Sequence, residues 1–301
     1  MALLTVEDAH VSYRARGAKV EAVRGVSLGV EKGQRLGLVG ESGCGKSSLA
    51  RAMLGLEPLA SGVILFDGQP VHGAGPSLRR RFQPVFQDAG SALNPRMTIA
   101  DCLREPLDIH RVGAASARQA RVDELLELVQ LPPEVKARLP RTLSAGQRQR
   151  VNIARALALE PELLILDEPV SALDVSVQAQ VLNLLETIAR ARSLTLIFIS
   201  HDLDVVGHLC DEVAVMYAGL LVERGPTARV LESPLHPYTR ALCAARAKAL
   251  EGAAGEPPSP SRWPTGCAFH PRCAVAVDRC RTERPALPNG EHRAACFVTD
   301  P

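Results

Sequence analysis

The stretch QRLGLVGESGCGKSSLARAMLGL, residues 34–56, decides the fold. Its first six residues form an apolar run that predicts a buried strand, and its last ten place leucine, alanine and methionine at helical spacing. Between them lies the pattern G-x-x-x-x-G-K-[ST]. Glycines there let the backbone curl until its N–H groups point inward, which makes an anion nest at a helix N-terminus. Gly40, Glu41, Ser42, Gly43, Cys44, Gly45, Lys46, Ser47 and Ser48 are therefore candidate phosphate-binding residues. Lys46 is placed to reach β- and γ-phosphates, and the Ser47 hydroxyl to ligate Mg²⁺. The competing reading is a strand–turn–helix corner that is merely glycine-rich, and the rest of the chain decides between the two.

Composition narrows the field. At 301 residues, 46% of them hydrophobic, the chain is long enough for one large domain or two. A net charge of +2 gives no bulk electrostatic reason to expect a nucleic-acid partner. No segment approaches the roughly 18 consecutive apolar residues of a membrane span. The start, MALLTVEDAH, has no basic region and its apolar run is cut by acids, so no signal peptide is expected. A soluble cytoplasmic chain with eight cysteines should hold them as thiols or metal ligands rather than as disulfides.

Outward from the glycine loop, the first forty residues read as strands joined by polar turns. A mostly helical stretch follows, with DELLELVQL (123–131) ending at Pro132-Pro133 and RVNIARALAL (150–159) after a polar turn. Strand signals return at ELLILDEP (162–169) and LTLIFISHD (194–202), linked by helical spacing in VQAQVLNLLETIARAR (177–192). Strand and helix in alternation predict an α/β fold with a parallel core. DEVAVMYAGLLVERG (211–225) predicts two strands about a turn at Ala218-Gly219. The prolines, glycines and serines of 251–265 predict a linker, and a cysteine-bearing tail, 266–301, follows it.

The company of the loop points to chemistry. In LLILDEP a buried strand delivers Asp167 to its end, where a carboxylate can hold Mg²⁺ through water. Glu168 cannot point the same way as its neighbour in an alternating strand, and is a candidate for polarising a water that attacks the γ-phosphate. Either acid alone would serve equally as a cap or a solvated loop residue. His201 ends the next strand, where a γ-phosphate contact belongs in this layout. In LSAGQRQR, 143–150, Ser144 precedes a helical run and can cap it, leaving N–H groups and a positive dipole for a second phosphate surface.

Taken in order, these motifs resemble the nucleotide-binding subunit of an ABC transporter, over residues 3 to about 250. GESGCGKSS corresponds to Walker A, VFQD with Gln87 to the glutamine loop, LSAGQ to the signature, ILDEP to Walker B, SALD to the D-loop and ISHD to the switch histidine. The resemblance implies a P-loop ATPase cassette, residues 1–250, with an N-terminal antiparallel β region, a parallel-sheet core and a helical subdomain at about 88–158. It implies ATP and Mg²⁺ as cofactors, with Ser47, Gln87 and Asp167 near the magnesium. Glu168 becomes the general base, His201 the γ-phosphate sensor and Tyr13 the aromatic that stacks on adenine. Ser144, Ala145, Gly146 and Gln147 would meet nucleotide held by a second subunit, and Asp174 would join that dimer contact. The usual signature is Ser-Gly-Gly-Gln, so Ala145 departs from it. The methyl matters only where the backbone needs positive φ or very close approach.

SALNPRMT (91–98), ESPLHPYTRAL (232–242) and GCAFHPRC (266–273) resemble the oligopeptide, dipeptide and nickel importer branch. That branch implies a second, different ATPase subunit, two permease subunits, an associated substrate-binding protein, and a place on the cytoplasmic face of the membrane. Two other classes compete: a soluble mechanical ATPase, which usually shows paired cassettes or long coiled coils, and a module that holds ATP without turning it over, against which Glu168 and His201 argue.

Cys267, Cys273, Cys280 and Cys296 are spaced C-x5-C-x6-C-x15-C, wider than common zinc pairs and unlike the bacterial ferredoxin run. A tail of this size needs a staple to fold. Six arginines against three acids between Arg262 and Cys296 would offset an anionic tetrathiolate cluster. Similar tails in some members of the importer branch bind a four-iron cluster, which makes 4Fe–4S the leading expectation, with zinc or unliganded thiols as alternatives. Because every ATP motif precedes residue 251, the ATP site is expected to be independent of the tail.

Overall fold

Apolar side chains at Leu4, Val6, Ala9 and Val11 are buried, while residues between them reach solvent, and this draws out β1 (Ala2–Ala15) as a half-buried strand. It pairs antiparallel with β2 (Ala18–Glu31). The computed structural model describes residues 2–15, 18–246, 256–260 and 262–299, which form two units, Met1–His72 with Phe198–Pro301, and Gly73–Ile197.

In the first unit β3 (Arg35–Val39) leads through the glycine loop into α1 (Lys46–Met53). β4 (Ser61–Phe66) pairs with β1, and β5 (Gln69–Pro70) with β4, so the antiparallel sheet runs β2-β1-β4-β5.

The second unit contains α2 (Pro76–Arg79), β6 (Phe82–Val85), α3 (Ala89–Ala92), α4 (Ile99–Ile109), α5 (Ala115–Leu128) and α6 (Ala145–Leu157). It continues with β7 (Leu163–Asp167) and α7 (Val175–Arg192). Leu163 to Leu166 are all buried, as expected of a strand covered on both faces, and β7 lies parallel to β6. Ile99, Leu103, Val122, Leu125 and Ile153 bury the facing stripes of α4, α5 and α6.

β8 (Thr195–Ser200) carries the chain back to the first unit. There α8 (Leu203–Leu209), β9 (Glu212–Tyr217) and β10 (Leu220–Pro226) follow. β9 is parallel to β3 and antiparallel to β10, and Ala218 and Gly219 turn the chain with φ of 50° and 78°. Those are the two positive φ values that a tight two-residue hairpin requires. α9 (Thr227–Glu232) and α10 (Pro237–Arg246) come next. Of the expected linker, residues 251–255 and 261 lie outside the described residues.

The cysteine segment packs on this first unit. α11 (Arg279–Thr282) holds Cys280, whose carbonyl accepts the Cys267 N–H at 2.9 Å. β11 (Arg293–Ala294) pairs antiparallel with Glu223 and Arg224 of β10. His292 Nε2 lies 2.8 Å from Oε1 of Glu223, a fully buried carboxylate that also accepts the N–H groups of Leu235 and His236. Phe269 stands edge-on to Tyr217, with ring centroids 5.2 Å apart, and Tyr238 completes the aromatic cluster. Such a short segment cannot bury a core of its own, and it borrows one here. Among the described residues no helix is long and apolar enough to cross a membrane.

Candidate nucleotide site and cysteine cluster

In the first unit the loop between β3 and α1 depends on its glycines. Gly45 has φ 107°, and a Cβ there would lie 2.2 Å from the Ala22 carbonyl oxygen. A Cβ at Gly40 would meet the Met216 carbonyl oxygen at the same distance. Both positions are closed to any other residue by conformation and by space. Lys46 is buried, and its Nζ donates to the carbonyls of Gly40 (2.7 Å) and Glu41 (3.0 Å). The Gly219 N–H of the β9–β10 hairpin donates to the Cys44 carbonyl at 2.9 Å, which fixes the loop from outside. Cys44 is buried beneath the loop, and burial pushes its thiol up. Ser47 and Ser48 are half-buried on the first turn of α1, and Ser42 and Gly43 are exposed.

Tyr13 is half-buried on β1 opposite Val20, and its hydroxyl is buried without a hydrogen-bond partner. His201 is exposed immediately after β8, and the Asp202 N–H donates to the Ser200 hydroxyl at 2.9 Å.

The second unit brings three expected residues into one neighbourhood. Glu168 follows β7 directly behind Asp167, with both half-buried, and its φ of 46° is left-handed. A β-carbon residue in that region costs energy that the surroundings must repay, and such residues cluster at functional sites. The Gln87 amide donates to Glu168 Oε2 at 3.2 Å and lies 3.5 Å from the Ser171 hydroxyl. The left-handed turn thus aims the Glu168 carboxylate at the glutamine loop, 81 residues earlier in the chain.

Ser144 caps α6 as its residue type predicts, and Gln147 has a structural use beyond the expected nucleotide contact. The Gln147 N–H donates to the Ser144 hydroxyl at 3.2 Å, and the Gln147 side-chain oxygen accepts the Ser144 N–H at 3.1 Å. This is a capping box, and the S-x-x-Q spacing was its signal. Ala145 is the first residue of α6 and is not among the positive-φ residues, so its methyl strains no backbone. Gly146 has a packing reason: a Cβ there would lie 2.4 Å from Val177 Cγ1 of α7. Asp174 caps α7, accepting from the Val177 N–H at 3.0 Å and the Ser176 hydroxyl at 2.7 Å, and these bonds hold its carboxyl below the usual range.

The four tail cysteines line a single narrow cavity with His236, Phe269 and Phe297. All four are free thiols, with Cys280 buried and the others half-buried. Burial pushes the Cys267 and Cys273 thiols up, and the neighbouring sulfurs add to the shift. Among the described residues no three His, Cys, Asp or Glu side chains form a group that could hold a metal ion.

Sequence reading missed the residues that tie this tail to the loop. Arg272, next to Cys273, forms two hydrogen bonds to the Glu41 carboxylate at 2.9 and 3.0 Å. The Glu41 N–H donates to the Tyr238 hydroxyl at 2.8 Å. Tyr238 and Arg272 both lie in stretches that carry the importer resemblance, but nothing in their spacing names a partner some two hundred residues away. The loop and the tail thus meet directly, through Arg272 and Glu41.

Known proteins are consistent with this geometry. Residues 23–171 match the family described as ABC transporter, and 222–280 match the oligopeptide/dipeptide transporter C-terminal region. The chain is 49% identical, over 94% of its length and 84% of the relative's, to a probable peptide ABC transporter ATP-binding protein of Sinorhizobium fredii. It is 43% identical, over 99% of its length and 97% of the relative's, to the oligopeptide transport ATP-binding protein OppF of Escherichia coli. Among solved structures it resembles cbiO1 of Clostridium perfringens, part of the ABC transporter complex cbiONQ, with TM-score 0.68 and 29% identity over 77% of this chain and 91% of that one. A dimeric ATP-binding cassette in a post-hydrolysis state with ADP and Pi gives TM-score 0.67 at 24% identity, over 74% and 98% of the two chains, which shows the shared fold.

Proposed function

The chain belongs to the ATP-binding subunits of ABC transporters, with the P-loop cassette fold and the ATPase activity of that family, and from this membership we propose that it energises a peptide importer. The relatives named above are designated for peptide transport, which favours oligopeptides or dipeptides as cargo over nickel or another metal chelate.

The observation that carries the mechanism is the Gln87–Glu168 contact on a left-handed Glu168. Glu168 takes a proton from the water that attacks the γ-phosphate in line, and ADP and phosphate leave. Gln87 orients that water and keeps the carboxylate turned towards it. Lys46, the loop N–H groups and the N-terminus of α1 receive the phosphates. Mg²⁺, when bound, neutralises phosphate charge, and Ser47, Asp167 and Gln87 have the oxygen donors that it prefers. His201 senses the γ-phosphate, and Tyr13 stacks on adenine. Ser144, Ala145, Gly146 and Gln147 meet nucleotide held by the partner ATPase, with Asp174 at the dimer contact. ATP then favours the closed dimer through its extra affinity for that state, and hydrolysis reopens it.

The other partners are a sister ATPase, two permease subunits and, through them, a substrate-binding protein, which places the chain on the cytoplasmic face of the membrane. A small groove of about 170 Å³ between β6, which leads into the glutamine loop, and α4, lined by Gln83, Pro84, Pro106 and Ile109, supports permease docking in this region. The domain plan is an ATPase region over 1–250, including a helical subdomain at about 88–158, followed by a linker and a metal-binding tail. For that tail we propose a 4Fe–4S cluster on Cys267, Cys273, Cys280 and Cys296. The number of thiols, their common cavity and the excess of arginines over acids in residues 262–296 support it, and zinc is the alternative.

The test is Glu168→Gln, which keeps the shape and removes the base. ATP binding should persist while phosphate release falls by roughly 10²–10⁴-fold. Normal turnover would remove Glu168 from the mechanism. Tagged protein recovered from membranes should bring permease subunits with it, and recovery only with ribosomes or DNA would replace the importer by a mechanical ATPase.

A further inference from the structure

Glu41 is an anomaly in a phosphate nest. It puts a carboxylate beside residues whose function is to receive polyanions, where unneutralised charge opposes binding. The structure neutralises it from the far end of the chain. Arg272 grips both Glu41 oxygens in a fork, with only 7% of the Arg272 side chain and 25% of the Glu41 side chain exposed. Its guanidinium also lies 5.8 Å from the Tyr217 ring centroid and 5.9 Å from that of Phe269. The carboxylate holds Arg272 firmly protonated. Planar, bidentate and stacked geometry of this kind suits arginine and is only half reproduced by lysine.

The same residue is held through its main chain. The Glu41 N–H donates to the Tyr238 hydroxyl, and the Glu41 carbonyl accepts from Lys46 Nζ. Arg272, Glu41 and Lys46 are therefore consecutive members of one chain of polar contacts, running from the cysteine cluster to the lysine that meets phosphate. Arg272 directly precedes Cys273, so the fold of the cysteine cluster fixes where the guanidinium stands.

We propose that Arg272 is a positioning residue for the ATP reaction: it neutralises and anchors Glu41, and through it the folded tail sets the affinity of the loop for nucleotide. This rests on the reading of residues 40–48 as the ATP phosphate site. Loop anchoring acts alike on bound ATP and on the transition state, so its loss raises KM and spares kcat.

The experiment uses the full chain, with Mg-ATP turnover followed by phosphate release and binding followed with a fluorescent ATP analogue. Arg272→Met should raise KM about tenfold or more and leave kcat within about threefold. Arg272→Lys should fall between Arg272→Met and the unchanged chain. Adding Glu41→Gln to Arg272→Met should recover part of the lost affinity, because the bare carboxylate is then gone while the anchor is still missing. An unchanged KM in Arg272→Met overturns the proposal. So does a double variant no better than Arg272→Met, which is the result expected if that substitution merely unfolds the tail. Lys46→Ala separates the two levels. If Lys46→Ala binds ATP normally, the phosphate-loop reading itself fails. If it binds poorly while Arg272→Met binds normally, only the role of Arg272 fails.

Discussion

The phosphate loop and the cysteine tail are held in opposite ways. The loop is shaped by its own residues: Gly40 and Gly45 have conformations and clearances that no other residue tolerates, within a few positions of the lysine they serve. The tail has almost nothing of its own. It takes a strand partner from β10, an aromatic wall from Tyr217 and Tyr238, and an anion from Glu41. A local constraint writes itself into adjacent letters, whereas a borrowed one leaves each half looking ordinary.

The severest way to test the local half is Gly45→Ala. A left-handed alanine costs about 1–2 kcal/mol. The clash with the Ala22 carbonyl adds at least as much, so nucleotide affinity should fall by more than about 100-fold. Retained affinity by titration calorimetry would show that the loop is not locally determined.

Cys280→Ser tests the borrowed half. Anaerobically purified protein should be brown, with about four irons per chain if the cluster is a cubane, and the variant should lose both colour and iron. Amide exchange beyond residue 266 should then accelerate, because ligation supplies much of a short segment's folding free energy. Colourless protein with stoichiometric zinc would replace the iron, and metal-free protein with a slowly exchanging tail would leave docking as its sole staple.

Ser144→Ala extends the local half to the second unit. Breaking the capping box should cost about 1 kcal/mol, read as a lower urea midpoint and faster exchange in the first turn of α6. No change would mean that tertiary packing alone holds that turn. Ala145→Gly is the mildest. With helical backbone at this position, ATPase activity should shift by less than about tenfold, and a larger gain would mark the alanine as a lesion in the signature.

How much was legible follows the same division. Leu163–Leu166 reads as a strand because four apolar letters in a row suit a strand buried on both faces, and it is one. Ala218-Gly219 reads as a hairpin turn because a glycine between two apolar runs supplies one positive φ freely, and Ala218 bears the strain of the other. Glu168 was legible as a residue but not as a left-handed one, since φ at a strand end is set by what the carboxylate must face. Gln147 was read as a nucleotide contact, while its side chain also closes a capping box. Arg272 was one arginine among six in its region and became distinctive only when Glu41 was found between its nitrogens.

The two residues of β11 have a further consequence. They occupy the outer rim of β10 at Glu223 and Arg224, and the Ala295 N–H takes the Val222 carbonyl at 2.8 Å. An uncovered rim of this kind is a template on which a neighbouring molecule can lay down a strand of its own. A chain clipped ahead of β11 is therefore expected to associate edge to edge more readily. The residues around β11 act as a selvage on the sheet, closing to other molecules the rim that they cover.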